Sequence, residues 1–250
     1  MSSDAHIDFS NVYEDVLCAE SYAKLEFPGT YYLAYRDIPD VLAKHAKGKN
    51  ALDFGCGTGR STRFLKKHGF DAVGIDISTD MIDKAKEFDP AGEYMVVADG
   101  NYNQLPKNYL DLILSVFTFD NIPNIERRIK LLAGLAELLN ENGVIVMLDS
   151  TPDIYVNEWA SFSTKDFPEN KNARSGDKVK IIMTDVNDRR PVEDIIWFEN
   201  DYKELFDKCN LKRIDSLKPL GKIEEPYNWI SETNIAPWVI NVLKKQIHNK

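Results

Sequence analysis

Ala51-Leu52-Asp53-Phe54-Gly55-Cys56-Gly57-Thr58-Gly59-Arg60 is the stretch on which the fold turns. A short apolar run, Ala51–Phe54, stops at three alternating glycines and passes into a helical pattern, Ser61–His68, closed by Gly69. Glycines let the backbone turn tightly and approach a ligand with no Cβ in the way. The first amides of the following helix face the same place. The stretch reads as a strand–loop–helix corner that holds a nucleoside.

The spacing narrows the ligand. A dinucleotide-binding turn, G-x-G-x-x-G, puts its third glycine at position 60, where Arg60 stands. An acid at Asp53 would repel a pyrophosphate but suits a cationic group, such as the α-amino group of an amino acid. Two further acids close the next apolar runs. Ala72–Ile75 ends at Asp76, 21 residues beyond Gly55, a reach that lets a carboxylate accept from ribose hydroxyls. Tyr94–Ala98 ends at Asp99 and Gly100, one strand further along, where an adenine edge would lie.

Outward from this corner, strands and helices alternate. Ser78 or Thr79 caps a helix presenting Met81, Ile82 and Ala85; Leu110–Val116 is a fourth strand; Ile125–Leu139 is the longest helix. Asn142-Gly143 reads as a turn into a fifth strand, Val144–Leu148. Unbroken Val/Ile/Leu runs suit strands buried on both faces of a parallel sheet. The predicted fold is α/β, a Rossmann-like doubly wound sheet with helices on both sides. After Ser150 the rhythm breaks, and Lys178–Thr184 and Val192–Phe198 form a hairpin-bearing insertion over the edge of the sheet. Leu211–Leu217 and Trp238–Leu243 are a final strand pair. The chain then divides into an N-terminal helical lid (1–46), a ligand-binding core (47–151), a substrate-side insertion (152–198) and the rest of the sheet (199–250).

Composition excludes several classes. With 43% hydrophobic and 28% charged residues, the 250-residue chain has the make-up of a globular protein. Its 31 basic and 40 acidic residues give a net charge of −9, which disfavours a nucleic-acid partner. No apolar run is long enough to span a bilayer. Met1–Asp8 lacks the order of a signal peptide, so a cytoplasmic setting with reduced Cys18, Cys56 and Cys209 is expected. His6, His45, His68 and His248 are scattered, so no metal is expected.

Ala51–Gly59 followed by Val73-Gly74-Ile75-Asp76-Ile77-Ser78 resembles the class I S-adenosylmethionine-dependent methyltransferases of small-molecule type, over roughly residues 48–150. The resemblance implies a seven-stranded sheet whose last strand is antiparallel, a place Trp238–Leu243 fits. It implies S-adenosylmethionine as donor and S-adenosylhomocysteine as product. By the same resemblance Gly55 and Gly57 lie against the methionine part, with Cys56 a small residue of the same turn and Asp53 near the amino group. Asp76 holds the ribose, Ile77 and Met81 flank the adenine, and Asp99 accepts from its amino group beside Gly100. Ser115 and Val116 pass close to the sulfonium. Tyr22, Tyr31 and Arg36 belong to a helical lid, with Arg36 a candidate partner of the methionine carboxylate.

On the acceptor side stand the residues after the fourth strand, Phe117, Phe119, Asp120 and Asn121, and the insertion with Tyr155, Glu158, Trp159 and Lys165. Phe119, Asn121 and Trp159 are the candidate substrate contacts. No histidine falls in these segments. Asp120 and Glu158 are the candidate bases, but transfer by proximity and desolvation needs no dedicated base. The expected acceptor is a small molecule methylated at O, N or C. Two alternatives remain open here: an RNA (tRNA) methyltransferase, hinted at by Lys165, Lys171, Arg174, Lys178 and Lys180, and a non-catalytic cofactor-binding protein. Monomer and homodimer are equally compatible with the sequence.

Overall fold

The computed structural model describes residues 29–98 and 100–246, so Tyr22 and Asp99 lie outside the described residues. Seven strands form one sheet: β1 Asn50–Phe54, β2 Asp71–Asp76, β3 Glu93–Val96, β4 Leu110–Val116, β5 Leu139–Ser150, β9 Leu211–Leu217 and β10 Trp238–Lys245. Their order is β3-β2-β1-β4-β5-β10-β9, and β10 runs antiparallel to both of its neighbours. The expected doubly wound sheet with a reversed last strand is therefore present. Leu112, Ile113 and Leu114 of β4 and Ile145–Leu148 of β5 are fully buried, as two-sided cover of a parallel sheet requires.

The helices follow from local signals. The Gly59 φ of 79° lets the chain enter α3, Arg60–Lys67, where a Cβ would stand 2.7 Å from the Tyr94 hydroxyl. Ser78 caps α4, Thr79–Phe88, by accepting from the Met81 amide, and Asn124 caps α5, Ile125–Leu138, by accepting from Arg127. Helices α1, Thr30–Arg36, and α2, Ile38–His45, bury Tyr31, Leu33, Ile38 and Leu42. After the insertion, α6, Glu199–Lys208, returns the chain to the sheet. Among the described residues, no helix is long and apolar enough to cross a membrane.

Two elements differ from expectation. Asn142-Gly143 does not turn: β5 already begins at Leu139, which pairs with Leu110, and the register slips before Leu112. Gly143 sits in that slip because a Cβ there would meet the Leu110 carbonyl oxygen at 2.5 Å. The expected hairpin of the insertion is present, β7, Lys178–Met183, pairing with β8, Val192–Ile195; what the sequence did not show is a two-residue strand β6, Phe162–Ser163, that makes it a three-stranded antiparallel sheet. It lies across the carboxyl-terminal ends of β4 and β5, with Phe162, Val179, Ile181 and Met183 in one core with Tyr31, Leu148 and Trp238.

One buried carboxylate ties these parts together. Glu232, fully buried, accepts from the Thr30 hydroxyl at 2.6 Å, the Ala160 amide at 2.7 Å, and the Ile230 and Ser231 amides at 2.8 and 3.1 Å. It thus joins α1, the insertion and the loop before β10. Glu232→Ala leaves the buried Thr30 hydroxyl and three partly buried or exposed amides without their acceptor and opens a cavity at a fully buried side chain, so it is expected to lower the unfolding free energy by about 3 kcal/mol or more in a denaturant titration. A loss below about 1 kcal/mol would show that the clasp is not needed.

Candidate functional site

The carboxyl ends of β1, β2 and β4 open on a cavity of about 190 Å³. Gly55, Cys56 and Gly57 line it from the first turn, Asp76, Ile77 and Met81 from the second, Val116 from the end of the fourth strand and Asn121 from just beyond it. Gly100 also lines it. These sequence-predicted residues come together in one place. Gly57, with φ 51°, would point a Cβ into open space. Gly55, with φ 71°, would drive one to within 2.2 Å of the Thr118 hydroxyl.

Two acids sit at adjacent strand ends in different states. Asp76 accepts the Gly57 amide on one oxygen and the Ser78 amide on the other, both at 2.9 Å, so it holds the glycine turn in shape. Burial raises its carboxyl above the usual range, against the lowering effect of those amides. Asp53 is fully buried; its Oδ2 accepts the Ser61 and Thr62 hydroxyls, each at 2.6 Å, and its Oδ1 has no partner. Burial pushes its carboxyl up to about 6, with the nearby Asp76 adding to the rise. The Cys56 thiol is pushed far above its ordinary value by burial and by Asp53 and Asp76, so it is not a nucleophile.

The methyltransferase domain family matches residues 29–218. The chain belongs to this family. It is similar to an uncharacterized methyltransferase of Geobacillus sp. (strain WCH70), 33% identical over 118 residues, 46% of this chain and 54% of that one. The chain spans about half the length of the first curated relatives it matches. In fold it resembles an S-adenosylmethionine-dependent methyltransferase of Clostridium acetobutylicum, with a TM-score of 0.61 at 13% identity over 90% of this chain and 94% of that one. It also resembles Streptomyces venezuelae DesVI, with a TM-score of 0.63 at 17% identity over 92% and 99% of the two chains.

Other expected site residues of this methyltransferase-family chain lie elsewhere. Arg36 does not line the cavity: it pairs with Asp37 at 2.7 Å and Glu225 at 2.8 Å and donates to the Leu220 carbonyl at 2.9 Å. Those bonds to Asp37, opposed by partial burial and helped by Glu225, raise its already high value further. Phe119 and Trp159 are not cavity contacts either; both are packed into the core, and the Trp159 indole donates to the Ile154 carbonyl. Ser115 is fully buried with its hydroxyl unpartnered. Glu158 accepts from the Thr164 amide at 2.7 Å and the Ser163 hydroxyl at 2.9 Å. Burial raises its carboxyl, but those bonds prevail and lower it, which suits a loop clamp better than a base.

Asp120 and Tyr31 line a second, smaller cavity under the insertion. Burial raises the Asp120 carboxyl, and it raises Asp149 and Asp194 likewise, each of the latter also pushed up by Asp120. Two residues that sequence reading did not assign matter at these cavities. Arg60 lines the first, beside Tyr35 of the lid, and Asp194 lines the second. Arg60 was visible only as the residue that broke a dinucleotide motif, while Asp194 sits in a strand pattern that carries no motif.

The raised carboxyls fix the sign of a pH effect. A folded Asp53 that keeps its proton up to about 6 is favoured over an unfolded one titrating near about 4, and this advantage is lost as pH rises between those values. Asp76, Asp120, Asp149 and Asp194 shift in the same direction. The unfolding free energy is therefore expected to fall as pH rises from about 4 to about 6, by about 3 kcal/mol from Asp53 alone. Chemical denaturation at stepped pH measures it, with Asp53→Asn removing that share; a flat wild-type profile contradicts the assignment.

Proposed function

We propose that this chain transfers a methyl group from S-adenosylmethionine to O, N or C of a small-molecule acceptor, leaving S-adenosylhomocysteine. The observation that carries the reading is the unmet Asp53 Oδ1: Asp53 itself does not line the cavity, but it is fully buried next to Phe54 and Gly55 of the cavity wall, in a turn held by Asp76. A buried carboxylate oxygen without a donor is costly, and an α-ammonium group meets it. The Asp76 oxygens keep lone pairs for ribose hydroxyls beyond the two amides they accept. Ile77 and Met81 supply apolar walls for the adenine, and Asp99, by the family resemblance alone, accepts from its amino group.

Arg60 replaces Arg36 as the partner of the methionine carboxylate. Its guanidinium lies 5.5 Å from the Tyr35 ring centroid and 5.6 Å from that of Tyr31, at the lid side of the cavity. When bound, the donor supplies a methyl carbon on a positively charged sulfur. Val116 and Phe117 line the cavity at the end of β4, where they exclude water and favour loss of that charge. The acceptor is aligned with the methyl carbon by the same walls, and such alignment supplies much of the acceleration.

An RNA acceptor finds less support. Lys178 and Lys180 share Glu193, at 3.2 and 3.4 Å, and Lys165 lies 3.6 Å from Glu158, so three of the five cations named above are offset by two acids.

Calorimetric titration with S-adenosylhomocysteine tests the reading. Asp76→Ala and Arg60→Met are each expected to weaken binding about tenfold or more, since a charge-assisted hydrogen bond contributes roughly 1.5–3 kcal/mol. Arg36→Met is expected to change it less than about threefold. Absence of binding at millimolar ligand overturns the reading, and the reverse order of the two arginines returns the carboxylate to Arg36. Once an acceptor is in hand, Glu158→Gln is expected to keep turnover within about tenfold.

A further inference from the structure

The second cavity lies under the insertion, and Phe117 lines both it and the donor cavity. Its chemistry is unusual in two independent respects. Four rings crowd its wall: Tyr31 and Phe162 with centroids 5.1 Å apart, Phe117 and Trp238 at 4.7 Å, and Phe162 and Trp238 at 5.8 Å. The same cavity is lined by two carboxylates, Asp120 and Asp194. Asp120, 3% exposed, accepts the Ser150 amide at 3.0 Å on Oδ2, and Asp194 accepts the Tyr155 hydroxyl at 3.1 Å.

These acids lack a cation. Asp149, next to them at the end of β5, is fully buried with neither oxygen partnered. The buried Arg128 is the cation that acts on Asp120 and Asp149, yet it bonds to neither. Its guanidinium is stacked on the Trp197 ring at 4.3 Å and the Tyr202 ring at 4.7 Å, with all three nitrogens unpartnered. Three carboxylates thus share one buried cation that forms no ion pair with any of them. Buried charge of one sign is tolerated when protons or an opposite charge meet it.

We propose that this cavity is the acceptor-recognition subsite of the methyltransferase and that it takes a protonated amine, held by Asp120 and Asp194 against the faces of Tyr31, Phe162 and Trp238. This rests on the methyltransferase reading above and narrows its acceptor to amine-bearing molecules. An ammonium group is the ligand that satisfies both halves of the wall. It donates to carboxylates, and its charge is attracted to ring faces, most strongly when water is excluded. A neutral hydroxyl meets the acids but gains nothing from the rings. An anion is repelled by both. The cavity is small, of about 30 Å³, so it admits the head of an acceptor and leaves its body toward Phe117 and the donor cavity. The raised carboxyls agree with this, since acids that keep protons for want of a cation release them when one arrives.

The test uses the full chain with methylammonium as probe and methanol, its neutral counterpart of equal size, as control. Saturation-transfer NMR reads the methyl protons of each, with sodium chloride added to equal ionic strength and with and without S-adenosylhomocysteine. Expected are a saturable methylammonium signal, at least fivefold weaker in Asp194→Asn, in Asp120→Asn and in Phe162→Leu, and no saturable methanol signal. Titration of each variant with S-adenosylhomocysteine checks that it is folded; a variant that fails is set aside and the others decide. Equal signals from methylammonium and methanol, or undiminished signals in both carboxylate variants, overturn the proposal. Wild-type protein that binds S-adenosylhomocysteine but gives no methylammonium signal sinks the amine subsite alone. Protein that takes methylammonium but not S-adenosylhomocysteine sinks the donor reading instead.

Discussion

A carboxylate removed from water must have its oxygens met, and how this chain meets them organises the whole structure. Glu232 is met four times over, and it binds lid, insertion and C-terminal loop into one body. Asp76 is met by two amides that belong to the turn it shapes. Asp53 is met on one oxygen only, and Asp149 on neither. The satisfied acids are struts. Those left wanting a donor line neither cavity themselves, but each is next in sequence to a residue that does, Asp53 to Phe54 and Asp149 to Ser150.

The glycine turn depends on this ordering. Gly55 and Gly57 adopt positive φ, a conformation that carries no intrinsic preference for one exact shape. What fixes it is the Gly57 amide on Asp76 and the Gly55 and Cys56 amides on the Ile75 carbonyl at 2.9 and 3.0 Å. Asp53, through Ser61 and Thr62, pins the first turn of α3 to the end of β1. The sheet places these residues side by side because β1 pairs with β2 in register, with Phe54 opposite Ile75.

This half of the molecule was legible in the sequence because its signals are local. Glycines at 55, 57 and 59, an acid closing each apolar run and capping residues such as Ser78 all act within a few positions of the structure they specify. The sheet order and the reversed last strand followed from the family pattern. The rest depends on distant partners. Arg36 looked like a carboxylate ligand because nothing near it announces Glu225, 189 residues away. Asn142-Gly143 carries the composition of a turn, but the pairing of Leu139 with Leu110 keeps it extended. Phe119 and Trp159 fall in the right segments, yet apolar burial turns them inward, away from the cavity.

The acidic group under the insertion was the least legible part, because its members come from four separate segments: Asp120 after β4, Arg128 on α5, Asp149 on β5 and Asp194 on β8. No spacing rule joins them, and each reads as an ordinary residue of its own element. Asp120 and Asp149 already outnumber the buried Arg128, and the insertion adds a third acid, Asp194. The joint between that charge and the donor turn is Phe117, held at a φ of 56° that a bulky residue seldom adopts, with its amide on the Leu148 carbonyl at 2.8 Å and its own carbonyl accepting the Asn121 amide nitrogen at 3.0 Å. A backbone bent this way costs free energy unless the position demands it. Here the bend places one residue in the lining of both cavities.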